Sequence, residues 1–76
     1  MARISPIPYR KLVCVLELEG FSLVRERGDH MIFTKPGIPR PLVVPRYDDL
    51  PVFIIKNVLR TAQISRETYL ALLERC

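Results

Sequence analysis

Apolar residues recur along this chain in two different periods, and glycine and proline mark where one gives way to the other. Leu12, Val13 and Leu16, with Val15 beside them, fall at helical spacing. Pro8 suits the first turn of that helix, where a missing N–H leaves no bond unmade. Gly20 is placed to end it in a left-handed cap, a conformation glycine takes without strain. From Phe21 to Arg27 the period becomes two, with Phe21, Leu23 and Arg25 expected on one strand face and Ser22, Val24 and Glu26 on the other. Gly28-Asp29 is a two-residue turn candidate, in the reverse of the favoured Asp-Gly order, so its turn type stays open. His30 to Thr34 reads as a second strand, and Pro36-Gly37 as the next turn. Leu42-Val43-Val44 makes a short third strand between Pro41 and Pro45, and prolines at both ends suit a sheet edge.

Beyond a Tyr47-Asp48-Asp49 loop, Pro51 opens a second helix with acids just before it, which the helix dipole favours. Val52, Ile55, Val58, Leu59 and Ala62 keep helical spacing and are expected to face the sheet. Ser65 is a good N-cap for a third helix, with Ile64 placed to staple onto Tyr69. Tyr69, Leu72 and Leu73 continue the buried stripe. The predicted class is α+β, in the order helix, three antiparallel strands, helix, helix. Helices pack on one sheet face and leave the other open.

The 76 residues are expected to form one domain, residues 1–76. A chain of this size buries about 60% of the surface its unfolded state exposes, so an active site should lie on a face or shallow groove. The longest apolar run, Leu12 to Leu16, has five residues, against the roughly 18 a membrane span needs. The opening Met1-Ala2-Arg3-Ile4-Ser5-Pro6 has no apolar stretch of signal-peptide length, so a cytosolic setting is expected. In that compartment Cys14 and Cys76 should be free thiols, with Cys14 a small core or boundary residue. Two distant cysteines and one histidine have no metal-ligand spacing, so neither metal nor cofactor is expected.

The net charge of +4 lies entirely in residues 1–46, which hold eight Lys/Arg and four acids. Residues 47–76 hold four of each. An excess of positive charge on one part of a small protein points to a polyanion partner. Arg10 and Lys11 open the first helix and Glu17 and Glu19 close it, against the helix dipole. Charges so placed either serve a ligand or simply sit on tolerant exposed ends.

The run Leu16-Glu17-x-x-Gly20-Phe21-x-Leu23-Val24-Arg25-x-x-Gly28-x-His30-x-Ile32-Phe33 resembles the HicA (YcfA-like) toxin family. Val43-Val44-Pro45 and Leu59-Arg60-x-Ala62-x-Ile64-Ser65-Arg66-Glu67 match it too, so the resemblance runs from about Arg10 to Leu73. It implies a fold like the double-stranded RNA-binding domain and an endoribonuclease activity directed at mRNA. It also implies a HicB-type antitoxin as partner, and His30 as the residue on which activity depends. Three departures stand out. Asp29 replaces the family's usual serine, the second helix opens Val52-Phe53-Ile54-Ile55-Lys56 where many members are more polar, and a basic cluster at that helix start is absent. A single-stranded or flexible RNA is therefore expected over a duplex.

RNA can be cleaved by its own 2′-hydroxyl attacking the adjacent phosphate, with no metal or cofactor. The protein then has only to move protons and balance charge, and imidazole does the former near neutral pH. Arg25, Arg27, Arg46 and Lys35 are candidate phosphate contacts, since cations, and guanidinium above all, match its oxygens. Asp29 is a candidate modulator, either repelling phosphate or orienting the imidazole. A second proton carrier would be Asp29, Tyr47, a lysine or water, or would be absent. Phe53 and Ile54 exceed what one buried helix face absorbs, and they either pack at the core margin or contact antitoxin or a second copy in a homo-oligomer. The alternative to a ribonuclease is a non-catalytic RNA- or protein-binding module on the same fold, in which Asp29 marks lost activity; His30 read alone could also be a turn-flanking residue without a task.

Overall fold

A computed structural model describes residues 3–76; Met1 and Ala2, the start of the stretch read for a leader, lie outside the described residues. The elements run α1 (Tyr9–Leu18), β1 (Ser22–Arg27), β2 (His30–Thr34), β3 (Leu42–Pro45), α2 (Val52–Ala62) and α3 (Arg66–Leu73). The three strands form one antiparallel sheet in the order β1-β2-β3, so the proline-flanked β3 is an edge, as its ends predict.

Local signals account for most element ends. Gly20 has φ of +95°. There the Phe21 N–H donates to the Leu16 carbonyl and the Gly20 N–H to the Glu17 carbonyl, each at 3.0 Å. This pair of bonds satisfies carbonyls that the end of α1 would otherwise leave bare, and it delivers Phe21 straight into the core. Ser65 caps α3 by accepting the Thr68 N–H at 3.1 Å, with Ile64 and Tyr69 both buried beside it. The end of α2 carried no such signal. Gln63 takes the left-handed conformation there, φ 60°, and the Ile64 N–H closes back onto Leu59.

One core joins the helices to one sheet face. Leu12, Val15 and Leu16 of α1, Ile55, Val58, Leu59 and Ala62 of α2 and Tyr69 of α3 meet Phe33, Leu42 and Val44 of the sheet. Val15 lies fully inside while Val13 is half-buried, because residues 12, 15 and 16 share one helical face. Val52, expected to face the sheet, is only half-buried at the first turn of α2, and Leu72 and Leu73 are likewise only partly covered. The opposite sheet face stays open, with Val43 and all of β1 exposed. This is the double-stranded RNA-binding-domain-like arrangement that the sequence resemblance implies.

Two corrections follow from long-range contacts. Cys14 and Cys76 are not free thiols: they form a disulfide, with Cα atoms 6.0 Å apart across 62 residues of sequence. Packing of α1 on α3 carries the two residues to bonding distance, a long-range contact that no pattern local to either cysteine signals. The strict alternation expected over 21–27 also fails. Leu23 lies opposite Phe33, yet Arg25 lies opposite Ile32, so Val24 is an extra residue in a β-bulge.

Candidate nucleic-acid interface

The bulge decides what the open face carries. Unbroken alternation would put Leu23, Arg25 and Arg27 on one side of β1. With Val24 inserted, Leu23 stays opposite the buried Phe33, while Arg25 and Arg27 lie opposite Ile32 and His30. Residues directly opposite in an antiparallel pair share a face. Ile32 and His30 in turn lie opposite Val43 and Pro45 of β3. The open face therefore presents Arg25, Arg27 and His30 together, around an apolar floor of Ile32 and Val43.

His30 begins β2 immediately after the Gly28-Asp29 turn. Gly28 has φ of +58° and Asp29 has no positive φ, the pattern of a type II′ hairpin turn with glycine first. That turn makes Arg27 and His30 direct cross-strand partners. The imidazole is half exposed, at 50%, so its free edge is open to a ligand. Its Nδ1 lies 3.1 Å from Asp29 Oδ1. In the neutral ring, donation from Nδ1–H to this carboxylate leaves Nε2 as the nitrogen that can accept a proton. Asp29 is thus placed to orient the imidazole through Nδ1.

The other candidate cations divide. Arg46 follows β3 beside this turn, and its N–H donates to the Asp29 carbonyl at 2.7 Å. Its guanidinium, however, is ion-paired with Glu26, opposite Met31 on the core side of the sheet. Lys35 lies past the other end of β2, with Nζ 5.5 Å from the Phe21 ring centroid. It is five positions on from His30, ~16 Å at the usual rise of a strand. The structure brings Arg25 and Arg27 to the histidine's face, holds Arg46 at its rim, and leaves Lys35 at the far end.

Sequence reasoning missed what joins this end of the sheet. The Tyr9 N–H donates to the Tyr47 carbonyl at 3.0 Å, and the Leu50 N–H to the Ile7 carbonyl at 2.8 Å. These bonds set the start of α1, with Arg10 and Lys11, beside the loop that leaves β3 next to His30. No local pattern predicts them, because each joins the start of α1 or the residues before it to the loop after β3, about 40 positions on. Among the described residues, no group of three His, Cys, Asp or Glu side chains is placed to hold a metal ion. Phe53 is 65% exposed on α2, while Ile54 is half-buried at the core margin, so the apolar pair is split.

A family model described as the HicA toxin of bacterial toxin–antitoxin systems matches residues 9–64. That span covers α1, the whole sheet with His30, Arg25 and Arg27, and α2. No individually curated protein matches the chain. With a match over most of its length and the element order the resemblance implies, the chain belongs to the HicA toxin family of bacterial toxin–antitoxin systems.

Proposed function

We propose that this toxin is an endoribonuclease that cleaves mRNA without a metal ion and is neutralised by a HicB-type antitoxin. The observation that carries the proposal is the grouping of His30 with Arg25 and Arg27 on one open, shallow face. A face of this kind admits a flexible polyanion, where a deep pocket would select a small molecule.

The chemistry asked of it is modest. His30 Nε2 accepts the proton of a ribose 2′-hydroxyl, while Asp29 steadies the ring through Nδ1. The freed oxygen attacks the adjacent phosphorus and the bond to the 5′-oxygen breaks, leaving a 2′,3′-cyclic phosphate. The departing 5′-oxygen takes a proton from water or from the imidazolium just formed. Arg27, directly opposite His30, is the nearest candidate to balance the charge that gathers on the phosphate oxygens.

The deciding experiment is His30→Ala, compared with the parent for RNA cleavage in vitro and for growth arrest on induction. Loss of a proton-transfer group predicts a fall of roughly 10²-fold or more in cleavage, with the fold retained because the side chain is half exposed. A folded alanine variant that cuts RNA at the parental rate overturns the assignment.

A further inference from the structure

We infer that the Cys14–Cys76 disulfide is a redox-governed latch on α3, a segment that lies beyond the matched family span. Three observations lead there. First, α3 is weakly held by its own sequence. It has eight residues, well short of the roughly 12–15 at which an isolated helix becomes even marginally stable. Tyr69 is its one buried residue, with Leu70, Leu72 and Leu73 packed only partly against the core. Second, the bridge sits where it restrains this helix directly. Cys14 lies on α1 among the buried Leu12, Val15 and Leu16, and α1 is the helix on which α3 packs. Past α3 the chain winds on through one tighter turn, with the Arg75 N–H donating to the Leu72 carbonyl at 2.9 Å and the Cys76 N–H to the Leu73 carbonyl at 3.0 Å. Third, the two sulfurs differ in access. Cys76 is exposed and Cys14 half-buried, so an incoming thiol meets the outer cysteine.

The chemistry of release is ordinary thiol–disulfide exchange with a thiol reductant. A thiolate attacks Cys76 Sγ, the Sγ–Sγ bond breaks, and Cys14 leaves as a thiolate that takes a proton. A second thiol attacks the reductant's sulfur in the mixed disulfide and frees Cys76. The net change is one protein disulfide and two thiols giving two protein thiols and one external disulfide, a transfer of two electrons. Once the latch is open, α3 lifts as a unit, uncovering the site of Tyr69 against α1. The hairpin bearing His30 keeps its packing, because Phe33, Leu42 and Val44 rest within a core that α1 and α2 also build. Reduction thereby loosens the flank and leaves the open sheet face in place.

The test is amide hydrogen exchange on the whole chain, air-oxidised, then treated with dithiothreitol, then reoxidised. Cys76→Ser serves as a second reduced form. Thiol titration should find no free thiol in the oxidised chain and two after reduction. Exchange at residues 66–75 should accelerate roughly a hundredfold on reduction, the scale of a disulfide's effect on an opening equilibrium. The β1–β2 amides should change much less, and reoxidation should restore protection. Two free thiols after exposure to air overturn the latch. So does unchanged protection in α3, and so does an equal loss in every element, which would make the bridge a general staple.

Discussion

Arg27 and His30 face each other across the two-residue Gly28-Asp29 turn, as the last residue of β1 and the first of β2. Their pairing places a fixed positive charge beside an imidazole that Asp29 holds by its other nitrogen. Arg25 extends the same charge two cross-strand pairs further along the sheet, at the next pair on the same face.

That geometry separates cations that look alike in the sequence. Arg27→Ala should lower RNA cleavage by roughly 10- to 100-fold, the effect of removing one charge-balancing donor. Lys35→Ala, at the opposite end of β2, should leave cleavage within about twofold, since its ammonium lies over the Phe21 ring, ~16 Å along the strand from His30. Single-turnover cleavage of one short RNA by both variants checks the order. Equal losses would place substrate along the full strand.

Cleavage should survive excess EDTA. The described residues offer no cluster of ligating side chains, and the proposed steps require only proton transfer and charge balance. Activity lost on chelation and restored by Mg²⁺ without refolding would require a different mechanism.

Among the described residues Phe53 is the most exposed large apolar side chain, with 65% of its surface open. An aromatic so displayed suits burial by a protein partner, where an anchor of this type is worth about 2 kcal/mol or more. Phe53→Ala should therefore weaken binding of a HicB-type antitoxin by roughly 30-fold while sparing RNA cleavage. Titration of the variant with antitoxin and a parallel nuclease assay measure the two separately. Parental affinity would assign Phe53 no part in the interface.

Tyr69 is fully buried, and its hydroxyl has no hydrogen-bond partner among the described residues. Tyr69→Phe keeps the ring and removes that hydroxyl, so the variant should gain about 1 kcal/mol in urea denaturation. Burial also raises the phenol's pKa above its ordinary 10.0. The folded chain thus keeps a proton that the unfolded chain gives up, and this contribution is intact below pH 10.0. It is lost as pH rises through the folded value. Parent and Tyr69→Phe denaturation curves compared across that alkaline range should diverge further as pH rises. A constant gap would show that the phenol titrates alike in both states.

What the sequence by itself determined is the order and kind of the elements. Each depends on signals a few residues wide: the helical spacing of Leu12, Val15 and Leu16, the left-handed Gly20, the prolines around β3, and the Ser65 cap. It also made His30 the sole imidazole, set just after a hairpin turn. Tertiary structure decided which face each cation serves. The bulge at Val24 keeps Leu23 opposite Phe33 and moves Arg25 and Arg27 opposite Ile32 and His30, a register that exists only once β2 is alongside. Arg46 was diverted to Glu26, and Lys35 was carried to the far end of the sheet, by the same pairing. Cys14 found Cys76 because α1 and α3 bury apolar surface against each other. Local propensity acts over a turn or two of chain, whereas register and helix packing minimise the exposed apolar surface of the whole fold, and the site is assembled at that second level.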